Sequence, residues 1–169
     1  MLTYTQLVES SKFKDFMSQI PANVAVVASS CNNEIQACTI SSLTSYDVIN
    51  PSVILVLQKY SRTLDAIRQT RTFSANLLDL NQSSISEHFS SRIHEDLQDK
   101  SEFFESIGEL SIPSLKSCRA VSFCKLESII DLENAAIVLG RVIGLFEKEN
   151  NRPLVYFDRK YFTLQALES

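Results

Sequence analysis

A chain of 169 residues with 44% hydrophobic and 21% charged residues can bury one substantial core but leaves little room for a second. Its net charge of −4 argues against a partner held through a phosphate backbone, so no nucleic-acid role is expected. Apolar runs such as Val53 to Leu57 fall far short of the ~20 residues a membrane span needs, and Met1 to Gln6 carries neither the basic start nor the apolar stretch of a secretory signal. The expectation is therefore a single domain over residues 1–169, soluble, off the membrane and cytoplasmic.

From Tyr4 to Ile20, apolar residues at Leu7, Phe13, Phe16, Met17 and Ile20 keep a loose helical spacing that Pro21 ends, which predicts an N-terminal amphipathic helix. Asn23 to Ser30 and Ile35 to Val48 are rich in β-branched residues, and Cys31-Asn32-Asn33 between them supplies turn chemistry, so the two stretches predict a β-hairpin. Pro51 then opens a strand over Val53 to Gln58. Ser61 can cap a helix running to about Gln69, because its hydroxyl can accept from the free amides of the first turn. Phe73 to Leu78 reads as a strand and Asn81 to Phe89 as a short helix. Ser90 to Pro113 is polar, with acids and bases interleaved, and predicts an irregular surface excursion. Ala120 to Ile130, Ala136 to Phe146, Leu154 to Phe157 and Tyr161 to Leu167 complete six or seven strands. The composition of elements is mainly β with flanking helices and points to a barrel. The βαβ alternation of a doubly wound sheet is missing, and with it a Rossmann cofactor site. Cys31, Cys38, Cys118 and Cys124 form no Cys-x-x-Cys pair and have no neighbouring His, so buried free thiols are expected and no metal site.

Two clusters carry possible chemistry. Thr39-Ile40-Ser41-Ser42-Leu43-Thr44-Ser45 places five hydroxyls in seven positions between apolar strand residues. Such an edge can orient a flat heteroaromatic ring or a phosphate through hydroxyls and amides together. The same composition also suits a plain Ser/Thr-rich edge strand. The second cluster, Gln58-Lys59-Tyr60-Ser61-Arg62-Thr63, follows an apolar strand at a predicted helix start. Free amides, two hydroxyls and two cations there favour an anion, although an N-cap with solvated charges needs none.

Together these segments resemble the flavin reductase family, the reductase partners of two-component flavin monooxygenases. The likeness begins at Pro21-Ala22-Asn23-Val24-Ala25-Val26-Val27, runs through the Thr39 to Ser45 stretch, and covers Asn50-Pro51, Ser61-x-Thr63 and Phe73-Ser74-Ala75-Asn76-Leu77-Leu78. It resumes at His88-Phe89, Cys124, Gly140 and Pro153-Leu154-Val155-Tyr156-Phe157. The resemblance implies a split β-barrel working as a homodimer, with FMN or FAD bound near the dimer interface. It also implies hydride transfer from NADH or NADPH and release of reduced flavin to a separate monooxygenase component. On matched positions, Thr39, Ile40, Ser41, Ser42 and Ser45 would line the flavin, with Gln58 at the family's usual Asn. Ser61, Arg62 and Thr63 would hold phosphate, and His88 with Phe89 would close the site. No catalytic residue is singled out, because placement is the protein's main task in such chemistry.

The chain departs from the family pattern at several places. The Asp-His-Thr that the family carries ahead of the glycine is Asn134-Ala135-Ala136 here, so Ala135 stands where an imidazole would face the nicotinamide. Asn23 and Ala37 replace glycines, and Asp158-Arg159-Lys160 replaces another near the C-terminus. Those two cations suit either a nucleotide phosphate or a charged solvent-facing turn. With only three glycines in the chain, loops are stiff in composition. His94 reads as a surface residue, and Tyr156 and Phe157 read as barrel core or as ring-stacking partners. The loss at Ala135 keeps an alternative open, a divergent split-barrel flavin-binding protein without NAD(P)H reductase activity. Nothing in the sequence chooses between FMN and FAD or between NADH and NADPH.

Overall fold

The computed structural model describes residues 8–90, 100–107, 111–148 and 152–166. Its elements in chain order begin with α1 (Ser10–Ser18), β1 (Ala22–Asn23), β2 (Ala25–Cys31), β3 (Glu34–Ile40), β4 (Thr44–Asp47) and β5 (Ser52–Gln58). Then come α2 (Arg62–Thr70), β6 (Thr72–Leu77) and α3 (Ser83–Ser90). A short 3-10 helix, Lys100–Phe103, leads into β7 (Phe104–Ser106), β8 (Pro113–Leu115), β9 (Ala120–Asp131), β10 (Ala135–Glu147), β11 (Val155–Phe157) and β12 (Lys160–Phe162).

Seven strands form one antiparallel sheet in the order β3-β2-β6-β9-β10-β5-β4. Its two edge strands, β3 and β4, are consecutive in sequence and are joined by Ser41, Ser42 and Leu43 alone. Four Cα steps reach about 14 Å at most. The two edges of the sheet must therefore come close, and since among the described residues β3 pairs only with β2 and β4 only with β5, the sheet curls into a barrel left open along one seam. That is a split barrel. β1, β11 and β12 make a second small sheet, and β7 pairs with β8.

Period-2 alternation sorts the side chains. Val27, Leu55, Leu57, Phe73, Cys124, Leu126, Ala136 and Val138 meet Leu64 and Ile67 of α2 in one core, while Val26, Phe89, Phe104, Leu115, Val121 and Phe123 form a second on the other face of the sheet. The hairpin between β2 and β3 turns on Asn32 and Asn33, both left-handed at φ 53° and 64°, which asparagine tolerates. Arg71 ends α2 in the same conformation, donating its amide to the Ile67 carbonyl at 2.9 Å.

Several expectations need correction. The single strand expected over Ile35 to Val48 breaks at Ser41, because the chain leaves β2 there and crosses to β5. The predicted excursion after Ser90 contains the 3-10 helix, β7 and β8 among its described residues; His94 lies outside them, as do Leu7 and Leu167. α1 is amphipathic as predicted but buries none of its residues in this chain. Twelve strands rather than six or seven occur among the described residues, the added ones being short.

Candidate functional site

The seam is built by side-chain hydrogen bonds as much as by backbone ones. Ser42 Oγ donates to the Val56 carbonyl at 3.1 Å and accepts from the Val56 amide at 3.0 Å, clipping the loop onto β5. Asn23 Nδ2 donates to the Leu43 carbonyl at 2.9 Å and ties the same loop to β1. Thr39 Oγ1 donates to the Ser86 carbonyl at 2.8 Å, and Tyr161 Oη lies 2.9 Å from Ser86 Oγ, so β3 and β12 together seat α3. Ile40 and Leu43 pack against the barrel core, while Ser41, Thr44 and Ser45 are exposed.

The second cluster continues from this edge. Val56 is two residues before Gln58, which is exposed and stands opposite Ala135 across β5 and β10. Ser61 donates its amide to the Gln58 carbonyl at 3.0 Å, and its hydroxyl caps α2 by accepting from the Leu64 amide at 3.3 Å. The structure thus brings the hydroxyl loop, Gln58, Ala135 and the start of α2 to one end of the barrel. Thr63 is 2% exposed and packs inside the first turn of α2. Arg62 is exposed and lines a groove of about 240 Å³ with Cys31, Glu34 and Asp65.

His88 is half-buried, its ring centroid 4.8 Å from that of Phe89 and 4.9 Å from that of Phe103. Phe89 is buried at 6% exposure and belongs to the core. Its part is to seat the histidine. Of the hydroxyls the sequence singles out, Thr39 and Ser42 are engaged by protein groups, whereas Ser41 and Ser45 are exposed.

Two residues that composition alone gives no role hold the barrel's frame. Asn76 is fully buried and donates from Nδ2 to the Val26 carbonyl at 2.8 Å and to Ser74 Oγ at 2.9 Å, while its Oδ1 accepts from the Leu115 amide at 2.9 Å. Asp47 turns the chain from β4 to β5, accepting from the amides of Ile49 at 2.8 Å and Asn50 at 3.2 Å. The Asn50 hydrogen bonds hold its carboxyl below the ordinary carboxylate value. A polar residue inside apolar flanks, as in Ser74-Ala75-Asn76-Leu77, is the one sequence signal that could have marked Asn76. None of the four cysteines forms a disulfide, Cys118 and Cys124 being buried and Cys31 and Cys38 half-buried. Among the described residues no group of His, Cys, Asp and Glu could hold a metal. No helix there is long and apolar enough to cross a membrane.

Residues 17–165 match the family described as flavin reductase like domain. The chain belongs to the flavin reductase family. Among curated relatives of this flavin reductase homologue is the reductase component of 4-hydroxyphenylacetate 3-monooxygenase from Thermus thermophilus, 28% identical over 88% of this chain and 93% of that one. Another is the NADH-dependent flavin reductase StyB of Pseudomonas fluorescens, 23% identical over 91% and 89%. The fold is shared with the styrene monooxygenase flavin reductase of Pseudomonas putida S12, at TM-score 0.82, 23% identity and coverage of 93% of this chain and 99% of that one. It is shared as well with a flavin reductase domain protein from Arthrobacter sp. FB24, at TM-score 0.84, 22% identity and coverage of 95% and 99%.

The residues at the seam fit a flavin. Exposed hydroxyls at Ser41 and Ser45 suit the polar edge of a flat ring, and the positive dipole end of α2, beside the Ser61 hydroxyl, suits a phosphate.

Proposed function

We propose that this chain is an NAD(P)H:flavin oxidoreductase that reduces FMN or FAD and delivers the reduced flavin to a separate monooxygenase, working as a homodimer in the cytoplasm. The observation that carries the reading is the seam: a family-matched split barrel whose opening gathers Ser41, Ser45, Gln58 and the α2 start at one end. A bound flavin supplies the hydride acceptor and a reduced nicotinamide the donor. The protein's share is placement. Ser41 and Ser45 orient the ring, Gln58 offers an amide that both donates and accepts, and Ser61 with the α2 amides holds the phosphate. Thr39 and Tyr161 seat α3 through Ser86, and the His88 of that helix packs against Phe89 and Phe103. Thr63 supports this arrangement from within α2, and Arg62 contributes charge at its rim.

The dimer reading draws on the outward face of the sheet. Ile130, Ile137 and Val56 stand in one cross-strand row, followed by Leu139 and Ile54, and Ile130 is 51% exposed. Below them Arg141 and Glu127 form an ion pair at 2.6 Å. An apolar face with a charged margin suits an isologous two-fold contact. Light scattering on the eluting protein tests it, with twice the chain mass expected.

The deciding measurement follows loss of the nicotinamide absorbance when NADH or NADPH is added with and without FMN. Rapid flavin-dependent oxidation is the expected result. Flavin binding without turnover would favour the second reading, a divergent flavin-binding barrel, which Ala135 opposite Gln58 motivates. Absence of flavin binding would remove both.

A further inference from the structure

We propose that Ser42 is a positioning residue that holds the barrel seam in the one shape able to receive the flavin; the inference rests on the flavin reading above. β4 pairs with β5 through Thr44 opposite Ile54 and Ser45 opposite Val53. Continued by two residues, that ladder would put the Ser42 backbone opposite Val56 and zip the loop onto β5. It does not continue. The Ser42 hydroxyl takes both of the bonds a facing strand would make, donating at 3.1 Å to the Val56 carbonyl and accepting at 3.0 Å from its amide.

A side chain standing in for a backbone has a geometric consequence. It sets the Ser41–Leu43 main chain off from β5 by the length of a serine side chain, so the seam stays open while the edge of β5 is still satisfied. On the other side Asn23 holds the Leu43 carbonyl at 2.9 Å, so the loop is tied from both flanks. Ile40 and Leu43 are anchored in the core, and Ser41 and Ser45 are left exposed. Without the hydroxyl, Val56 keeps an unpaired amide and carbonyl at the seam. The β4 ladder points straight at them, so the Ser41 and Ser42 peptide groups compete with water for those bonds. The ladder would then extend, the seam would narrow, and the exposed hydroxyls would lose the spacing that a flat ring needs.

The test compares wild type, Ser42→Ala, Ser42→Thr and Ser42→Cys as full chains. FMN binding is read by quenching of flavin fluorescence, KM for flavin is read beside kcat and KM for NADH, and Tm is taken without flavin. Ser42→Ala is expected to raise the FMN Kd and the flavin KM together by about tenfold, with kcat and the NADH KM within about twofold of wild type. Ser42→Thr keeps the hydroxyl and is expected to bind FMN within about threefold of wild type. Ser42→Cys, a near-isosteric change with a weak donor, is expected between them, and serves if the alanine variant does not fold. A merely structural role would lower kcat through a smaller folded fraction and leave the Kd of the folded fraction alone. The proposal is overturned if the alanine or cysteine variant binds FMN as wild type does, or if threonine is as weak as alanine. Wild-type protein that takes no FMN would instead bring down the flavin reading itself.

Discussion

Gly140 lies on the inward face of β10, opposite Val53 of β5 and Leu126 of β9, where the β9–β10 register shifts. A Cβ added there would sit 2.4 Å from Phe73 Cζ, 2.7 Å from Phe73 Cε1 and 3.2 Å from Cys124 Cβ. Carbon atoms in contact rest at roughly 3.5–4.0 Å, so the Phe73 ring has to retreat by more than about 1 Å. It has nowhere to go. Phe73 is completely buried and shares its core with Val27, Leu55, Leu64 and Ile67. Overpacking of this kind costs about 1–3 kcal/mol and sometimes more, and a rigid ring surrounded by core places Gly140→Ala near the upper end, at about 3 kcal/mol. For a chain of this size each kcal/mol lowers Tm by roughly 2–4 °C, which gives a fall of about 6–12 °C.

Urea denaturation followed by circular dichroism measures the loss. Coupling supplies the sharper check. Phe73→Leu alone opens a cavity and costs about 1–2 kcal/mol. Combined with Gly140→Ala it also removes the atoms that clash, so the double variant is expected to be more stable than the sum of the singles by over about 1 kcal/mol. A Gly140→Ala protein within about 0.5 kcal/mol of wild type, or strictly additive losses, would refute the steric reasoning.

Asn76→Ala leaves the Leu115 amide without its partner inside the protein, and is expected to cost about 1–3 kcal/mol by urea denaturation. Ala135→His places an imidazole beside Gln58, and a lower KM for NADH by about two- to tenfold is expected in steady-state kinetics, the worth of one hydrogen bond. Burial pushes the Cys118 thiol up to about 11 and that of Cys124 up to about 12 from an ordinary 9.0. At pH 8 a thiol reagent should therefore modify Cys31 and Cys38 in the folded protein, and reach the other two only on unfolding. The sign for stability follows from the same shift. The unfolded chain gives up these thiol protons first, so both contributions are intact below about pH 9 and decline as pH rises toward 11 and 12, which a series of urea titrations at increasing pH measures.

Strand positions could be read from the sequence because alternation in β5, β6, β9 and β10 is dense and β-branched, and the Asn32-Asn33 turn fixed where the first hairpin folds. The break after Ile40 could not. Local propensity runs unbroken from Ile35 to Val48, and the chain leaves β2 there only because β5, distant in the sheet order, offers β4 a partner. α1 shows the converse: Phe13, Phe16, Met17 and Ile20 are spaced for burial, yet among the described residues no element covers them, Phe16 being 61% exposed.

The candidate site divides along the same line. Residue type marked the hydroxyl stretch, but it says nothing of which hydroxyls the protein uses for itself. That depends on contacts far along the chain: Thr39 meets Ser86, and Ser42 meets Val56. A hydroxyl engaged by a carbonyl has its proton directed inward, and is a poorer donor to any ligand than an exposed one. On the proposed flavin reading, the exposed Ser41 and Ser45 are the hydroxyls left to meet a ligand, while Thr39, Ser42 and Asn23 hold the loop. Substitutions in the first group should change how a flavin is oriented, while those in the second should change whether the opening accepts one.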